Sequence, residues 1–180
     1  MTKPSERELI QAVLAGEKKG YEKLYDRYGP LVRAICYDTT RNLTDAQDLA
    51  QDVFMRAYEK LGRLRDLDIF GKWIVGIARL RCREWRRQRL RSQDRHVGLD
   101  DAELAIVNPS NDDRIEQLRK MMTALPEKER LALHAFYLQG KSADNARRIM
   151  GLSRSGFYRV LERARKRLEQ LMPGEQENIR

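Results

Sequence analysis

Apolar positions recur at helical spacing along almost the whole chain, while alternating patterns and strand-like Val/Ile/Thr runs are nearly absent. The pattern predicts an all-α protein. A first helix is expected over 5–15, where Ser5 and Glu8 have the spacing of a capping box. A second is expected over 20–40, with Leu24, Tyr28, Leu31, Ile35 and Cys36 as its apolar stripe and Pro30 as a kink or a boundary. Thr44 is the expected N-cap of a third, with Asp45 and Asp48 in its first turn, where the helix dipole favours acids. That helix runs to Leu61 and buries Leu49, Val53, Ala57 and Leu61. A loop over 62–68 precedes a fourth helix over 69–91, whose stripe is Trp73, Ile74, Ile77, Ala78, Cys82 and Trp85.

The character changes at Ser92. Residues 92–113 hold six acids and one arginine, together with the turn-rich run Asn108-Pro109-Ser110-Asn111. This reads as a flexible acidic linker. A second helical block opens at Arg114 with the stripe Leu118, Met121, Met122 and Leu125. Pro126 and Glu127 start another helix that ends near Gly140. A short helix over 142–150, a turn at Gly151-Leu152 and a helix over 153–171 follow. The expected organisation is two small helical domains, 1–91 and 114–180, joined by the linker 92–113.

Composition sharpens this. With 180 residues, 35% charged and 41% apolar, the chain can fill small helical cores but not one large interior. The formal net charge of +9 favours a polyanionic partner, since each phosphate contact releases condensed counterions. The two cysteines, Cys36 and Cys82, are far apart in sequence and lack CxxC spacing. They read as small core residues of a reducing compartment, not as a disulfide or zinc framework. Two histidines exclude a His-rich metal site. No apolar run approaches the ~20 residues of a membrane span. A cytoplasmic protein without cofactor, metal or membrane insertion is expected, and nothing indicates a homo-oligomer.

Three constellations carry candidate chemistry. Over 142–168, Ser142 and Ser153 cap two helices on either side of the Gly151 turn, the plan of a helix-turn-helix whose second helix enters the major groove. Phe157, Leu161, Ala164 and Leu168 then face inward, which leaves Arg154, Ser155, Tyr158, Arg159 and Arg163 outside. Arginine suits bidentate contact with guanine, and Ser and Tyr suit phosphates. An ordinary αα-hairpin with a charged face makes the same pattern. However, 154–167 holds six basic residues against one acid.

The second constellation is the run 79–91, seven arginines beside one glutamate. It suits phosphates or a displaced single strand, with Arg81 near the apolar stripe and able to snorkel outward. Trp73 and Trp85 lie on the same helix, where core packing competes with base stacking. The third is acidic. Asp45, Asp48 and Asp52 share one helix face. Paired carboxylates can hold a catalytic metal, but no His, phosphate loop or further acidic cluster accompanies them. Docking of a basic protein partner fits an acidic face on a basic chain better.

These residues carry a resemblance. The run 44–58, Thr-Asp-Ala-Gln-Asp-Leu-Ala-Gln-Asp-Val-Phe-Met-Arg-Ala-Tyr, resembles the polymerase-binding helix of extracytoplasmic-function (ECF, group IV) sigma factors, D-A-E-D-L-x-Q-E-V-F-x-x-A-W/Y. The run 70–79 is similar to that family's F-x-x-W-L-x-x-I-A-R, 125–130 to its L-P-x-x-x-R, and 163–168 to its R-A-R-x-x-L.

The resemblance implies an alternative sigma factor that binds core RNA polymerase, directs it to promoters and assists melting, with no enzymatic activity of its own. Asp48, Gln51 and Asp52 would meet the β′ clamp helices. The loop with Arg63, Arg65 and Asp68 would hold a flipped non-template base. Lys72, Arg79, Arg83, Arg86 and Arg87 would engage the −10 element. Arg154, Ser155, Tyr158, Arg159 and Arg163 would read the −35 element, in a domain that also meets the β flap. The linker would thread the polymerase channel, and an anti-sigma factor is an expected partner. The chain departs from the family pattern at Leu80, Asn145-Ala146-Arg147, Gly156 and Phe157. Two other readings stay open: a free-standing helix-turn-helix repressor, and a nuclease or recombinase using the aspartates.

Overall fold

The computed structural model describes residues 4–95 and 113–172, all of whose regular structure is helical. The chain divides into two compact units, Met1–Val107 and Asn108–Arg180. Most of the acidic stretch assigned to the linker, 96–112, lies outside the described residues.

The first unit packs four helices, α1 (Glu6–Leu14), α2 (Lys18–Thr40), α3 (Leu43–Lys60) and α4 (Phe70–Arg95). Ser5 and Glu8 form the expected capping box, with Ser5 Oγ accepting from the Glu8 N–H at 3.2 Å and Glu8 accepting from the Ser5 N–H at 2.8 Å. Leu9, Ile10 and Val13 seat α1 on α2. The two helices approach closely at Gly20, where a Cβ would lie 2.7 Å from the Leu9 carbonyl oxygen. α2 runs unbroken through Pro30. A proline there removes one backbone donor but does not outweigh the burial of Leu24, Tyr28, Leu31, Val32, Ile35 and Cys36 along the same face. Each of these buried side chains stabilises by roughly 1.5–3 kcal/mol.

The third helix starts earlier than its sequence suggests. Asn42, not Thr44, is the N-cap, its side-chain oxygen accepting from the Asp45 N–H at 3.1 Å. Asp48 therefore sits beyond the first turn, which holds Asp45 as its only acid. The loop over 62–68 is more ordered than expected, with 3₁₀ turns at Leu61–Arg63 and Leu67–Ile69. α4 continues past Arg91 to Arg95. Its inner face is Phe70, Ile74, Val75, Ala78 and Cys82, while Trp73, Ile77 and Trp85 are only half-buried. The tryptophans flank the core and do not fill it. Trp73 packs against Phe70 at 5.8 Å between centroids, and Arg89 lies 5.3 Å from the centre of the Trp85 ring.

Both cysteines are buried free thiols of this core, and Cys82 Sγ on α4 donates to the Ile35 carbonyl of α2 at 3.8 Å.

The second unit contains α5 (Asp113–Ala124), α6 (Glu127–Tyr137), α7 (Ala143–Met150) and α8 (Arg154–Leu171). α6 stops short of Gly140, and both Gly140 and Lys141 have positive φ, 76° and 57°. Arg130 is buried, with its Nη1 donating to the carbonyls of Met122, Thr123 and Leu125 at 3.3, 3.4 and 3.1 Å. It thereby closes the open C-terminal end of α5. The expected stripe on α5 is mostly not a core face. Leu125 is buried, Met121 and Met122 are half-buried, and Leu118 is exposed. Phe157, Val160, Leu161 and Ala164 bury α8, and Leu168 is only half-buried.

Candidate functional site

The acidic face of α3 and the basic face of α4 lie side by side in the first unit. Asp48 and Gln51 are exposed. Asp52 is not free. It accepts from Arg81 Nε of α4, and Arg56 Nε lies 3.4 Å away on its own helix. Arg81 also donates to Glu84. Partial burial works against the Arg81 charge, but the hydrogen bonds to Asp52 and then Glu84 outweigh it and hold the guanidinium protonated. Asp45 faces Arg89 at 4.0 Å. Two of the three aspartates are thus matched to arginines, which leaves them poorly disposed to share a cation.

On α4, Lys72, Arg79, Arg83, Arg86 and Arg87 are all exposed. Their spacings of seven, four, three and one place them along one side of the helix, away from the buried Ile74–Ala78–Cys82 side. Arg86 is steadied by Nη2 donating to Thr39 Oγ1 of α2 at 3.3 Å. Arg81 turns inward and leaves the basic stripe.

The loop before α4 presents Arg63, Arg65 and Asp68, all exposed. Asp66 caps the second 3₁₀ turn by accepting from the Asp68 N–H at 3.0 Å. Asp68 is tied to α1, with Arg7 Nε to Oδ1 at 3.3 Å and Nη2 to Oδ2 at 2.6 Å. The Asp68 hydrogen bond raises the Arg7 pKa. Arg7 was not foreseen as part of this loop's support, because nothing local joins residues 7 and 68.

Sequence reasoning also missed an exposed apolar extension of the α3 face. Met55 and Tyr58 are 58% and 49% exposed. Tyr58 stacks edge-on against Tyr21 at 4.9 Å, and together with Tyr25 they line a shallow groove with Lys18, Glu22 and Asp26. Tyr21 donates to the Phe54 carbonyl, and burial raises its pKa. The signal was present in the spacing of Tyr21 and Tyr25 on one helix and Gln51, Met55 and Tyr58 on the next.

In the second unit, α7 ends at Gly151 in the left-handed region, φ 65°. The Gly151 and Leu152 N–H groups return to the Arg148 and Arg147 carbonyls at 3.1 and 2.9 Å. Ser153 then caps α8 by accepting from the Gly156 N–H at 3.1 Å. This is a helix-turn-helix. Arg154, Ser155, Tyr158, Arg159 and Arg163 all project from α8 as exposed side chains. Phe157, fully buried, lies 6.4 Å from Phe136 between centroids, and Ala146 is fully buried. Arg147 lies along α7, with Nε 2.8 Å from the Asp144 carboxylate, which it holds below the usual carboxylate range. Gly156 has a structural role as well, since a Cβ there would lie 2.9 Å from Ser153 Oγ.

Residues 24–92 match the Sigma-70 region 2 family. The chain is 27% identical to the RNA polymerase sigma-H factor of Pseudomonas aeruginosa, over 96% of this chain and 98% of that protein. It is 29% identical to the ECF RNA polymerase sigma factor SigM of Bacillus subtilis, over 83% of this chain and 93% of that protein. A probable RNA polymerase sigma factor RfaY of Xanthomonas campestris is 28% identical over 84% of this chain, which spans only 40% of that longer protein. Among solved structures, CnrH in complex with the cytosolic domain of CnrY is 22% identical with a TM-score of 0.64, over 94% of this chain and 97% of that one. The sigma factor RpoE in complex with the anti-sigma factor NepR from Bartonella quintana is 23% identical with a TM-score of 0.60, over 88% and 99%. These two establish likeness of fold. The match of residues 24–92 to Sigma-70 region 2 and the similarity to sigma factors, several of them ECF sigma factors, support an alternative sigma factor that directs promoter-specific transcription initiation.

Proposed function

We propose that this is a group IV sigma factor whose two units divide the work of promoter recognition. The first docks on the β′ clamp helices of core RNA polymerase through α3, with Asp48 and Gln51 in direct contact and Asp52 positioned by Arg81 at the edge of that surface. The same unit engages the −10 element through Lys72, Arg79, Arg83, Arg86 and Arg87, and its Arg63, Arg65 and Asp68 loop receives a base flipped from the non-template strand. The second unit reads the −35 element through Arg154, Ser155, Tyr158, Arg159 and Arg163, and contacts the β flap. The acidic stretch 92–113 follows the polymerase channel as a mimic of nucleic acid. The chemistry is the polymerase's, and the protein works in the cytoplasm. Among the described residues no helix is long and apolar enough to cross a membrane.

The observation that carries this reading is the pairing, within one unit, of an open acidic and polar patch on α3 with an exposed basic stripe on α4. A DNA-binding repressor has use for the stripe but not for the patch. Relatives of this fold have been solved with a cytosolic partner domain and with an anti-sigma factor, which supports an anti-sigma partner here too. The test is capture of purified core polymerase by the full chain, followed by transcription from a promoter library. Duplex binding with no core binding and no promoter-directed transcript would support the repressor instead.

A further inference from the structure

Arg7 lies ahead of residues 24–92, the part of the chain that matches the Sigma-70 region 2 family. Its guanidinium nevertheless reaches the loop before α4. Nε donates to Asp68 Oδ1 at 3.3 Å and Nη2 to Oδ2 at 2.6 Å, a two-pronged contact between residues 61 apart in sequence. A planar guanidinium that meets both oxygens fixes the direction of a carboxylate as well as its distance. The Asp68 backbone is held too, since its N–H donates to Asp66 Oδ1 at 3.0 Å.

The other end of the contact is anchored. The Ser5 and Glu8 capping box brackets Arg7. Arg27 Nη2 of α2 donates to the Pro4 carbonyl at 2.7 Å, and the Tyr28 hydroxyl of α2 donates to Glu6. Leu9 and Ile10 are buried where α1 packs on α2, and α1 also packs against both 3₁₀ turns of the loop. Arg7 therefore projects from a fixed turn. The pair itself is open, with the Arg7 and Asp68 side chains 50% and 59% exposed. Water screens such a pair, so it adds little to folding. What it controls is the direction of a side chain in a surface loop, which otherwise chooses among rotamers.

We propose that Arg7 is a positioning residue for promoter opening: it holds Asp68, and with it the loop of Arg63 and Arg65, in the arrangement that receives a base displaced from the non-template strand. This rests on the base-capture reading of that loop given above. A loop ordered before the base arrives loses less conformational freedom on binding, so more of the contact energy appears as affinity. Each Asp68 oxygen keeps a lone pair beyond the one facing Arg7, so the carboxylate can still accept from the pairing edge of a base.

In the test, labelled single-stranded DNA of the −10 non-template sequence of a promoter the protein transcribes is titrated with holoenzyme assembled from the full chain and core RNA polymerase. The strand is used intact and with one base removed at a time, and binding is read by fluorescence anisotropy. Wild type should lose affinity when the captured base is missing. Arg7→Ala should bind the intact strand roughly three- to fivefold more weakly, the size an exposed charged pair can supply. It should bind the strand lacking that base as wild type does, with core affinity and melting temperature unchanged. If removal of no base weakens wild-type binding, the base-capture reading fails and this proposal with it. If wild type shows the loss and Arg7→Ala binds every strand as wild type does, the reading stands and the proposal is overturned. Equal weakening on intact and base-lacking strands would make Arg7 a phosphate contact, and a fall in melting temperature together with core affinity would make it a support of the fold alone. Either result overturns the proposal.

Discussion

Arg81 of α4 donates to the carboxylate of Asp52 on α3, so the outer acidic face of one helix is fastened to the basic helix beside it. Asp52 is about one-third exposed and Arg81 much less so. This pair separates two roles that the spacing of Asp48 and Asp52 had merged. Asp48 presents its charge outward, whereas Asp52 spends much of its charge inside the unit. Asp48→Arg should therefore lower core-polymerase affinity by tenfold or more with an unchanged melting temperature, as measured by binding titration and thermal scans. Asp52→Ala should lower both, with a stability loss of about 1–2 kcal/mol after allowance for solvent screening. Wild-type core affinity in Asp48→Arg would remove that residue from the docking surface.

Arg159 projects from α8 as an exposed side chain. If it reads a base, Arg159→Ala should weaken −35 discrimination by roughly 1–3 kcal/mol while leaving helix content intact. Comparing transcription from single-base variants of the −35 element decides this. An unchanged preference profile would assign Arg159 to phosphate contact or to none.

Gly156 and Ser153 form a small cycle that can be measured. An alanine at 156 gains about 1 kcal/mol of helix propensity. Its Cβ, however, crowds the capping oxygen of Ser153 at 2.9 Å, and displacing that cap costs about 1 kcal/mol. Gly156→Ala alone should be nearly neutral. In a Ser153→Ala background it should stabilise by about 1 kcal/mol. Equal effects in both backgrounds, read by denaturant titration, would mean that the cap and the glycine are not coupled.

Arg130 holds three carbonyl oxygens at the end of α5 while buried. Arg130→Met keeps most of the volume but leaves those acceptors without their donor. The second unit should lose about 2–4 kcal/mol. Amide exchange at the end of α5 should accelerate first. A melting curve identical to wild type would contradict the capping role.

Asp144 has a lowered pKa through its hydrogen bond from Arg147 and then through that residue's charge. A depressed carboxylate stabilises the folded state above its unfolded pKa, and that contribution fades as pH falls through the folded value. The carboxyl carbon of Asp144, followed by NMR, should thus titrate below the ordinary aspartate range. Arg147→Ala should bring it back.

Much of this protein is determined by its sequence alone, because the deciding interactions are local. Ser5, Ser142 and Ser153 each cap a helix by bonding three residues ahead, so spacing suffices to place them. The helix-turn-helix was equally legible, since Gly151 must supply the left-handed turn and the exposed residues of α8 follow from its apolar period. The acid-rich and arginine-rich helices were visible as composition. Only the tertiary structure decided which charges remain open. Asp52 meets Arg81, Arg7 meets Asp68 and Cys82 meets the Ile35 carbonyl across separations that no helical period relates. It also decided that Asn42 begins α3, that Pro30 does not end α2, and that Leu118 is left exposed. In each case a local preference of about 1 kcal/mol yields to, or awaits, the burial of several side chains worth more, and which side chains are buried is a property of how the helices pack.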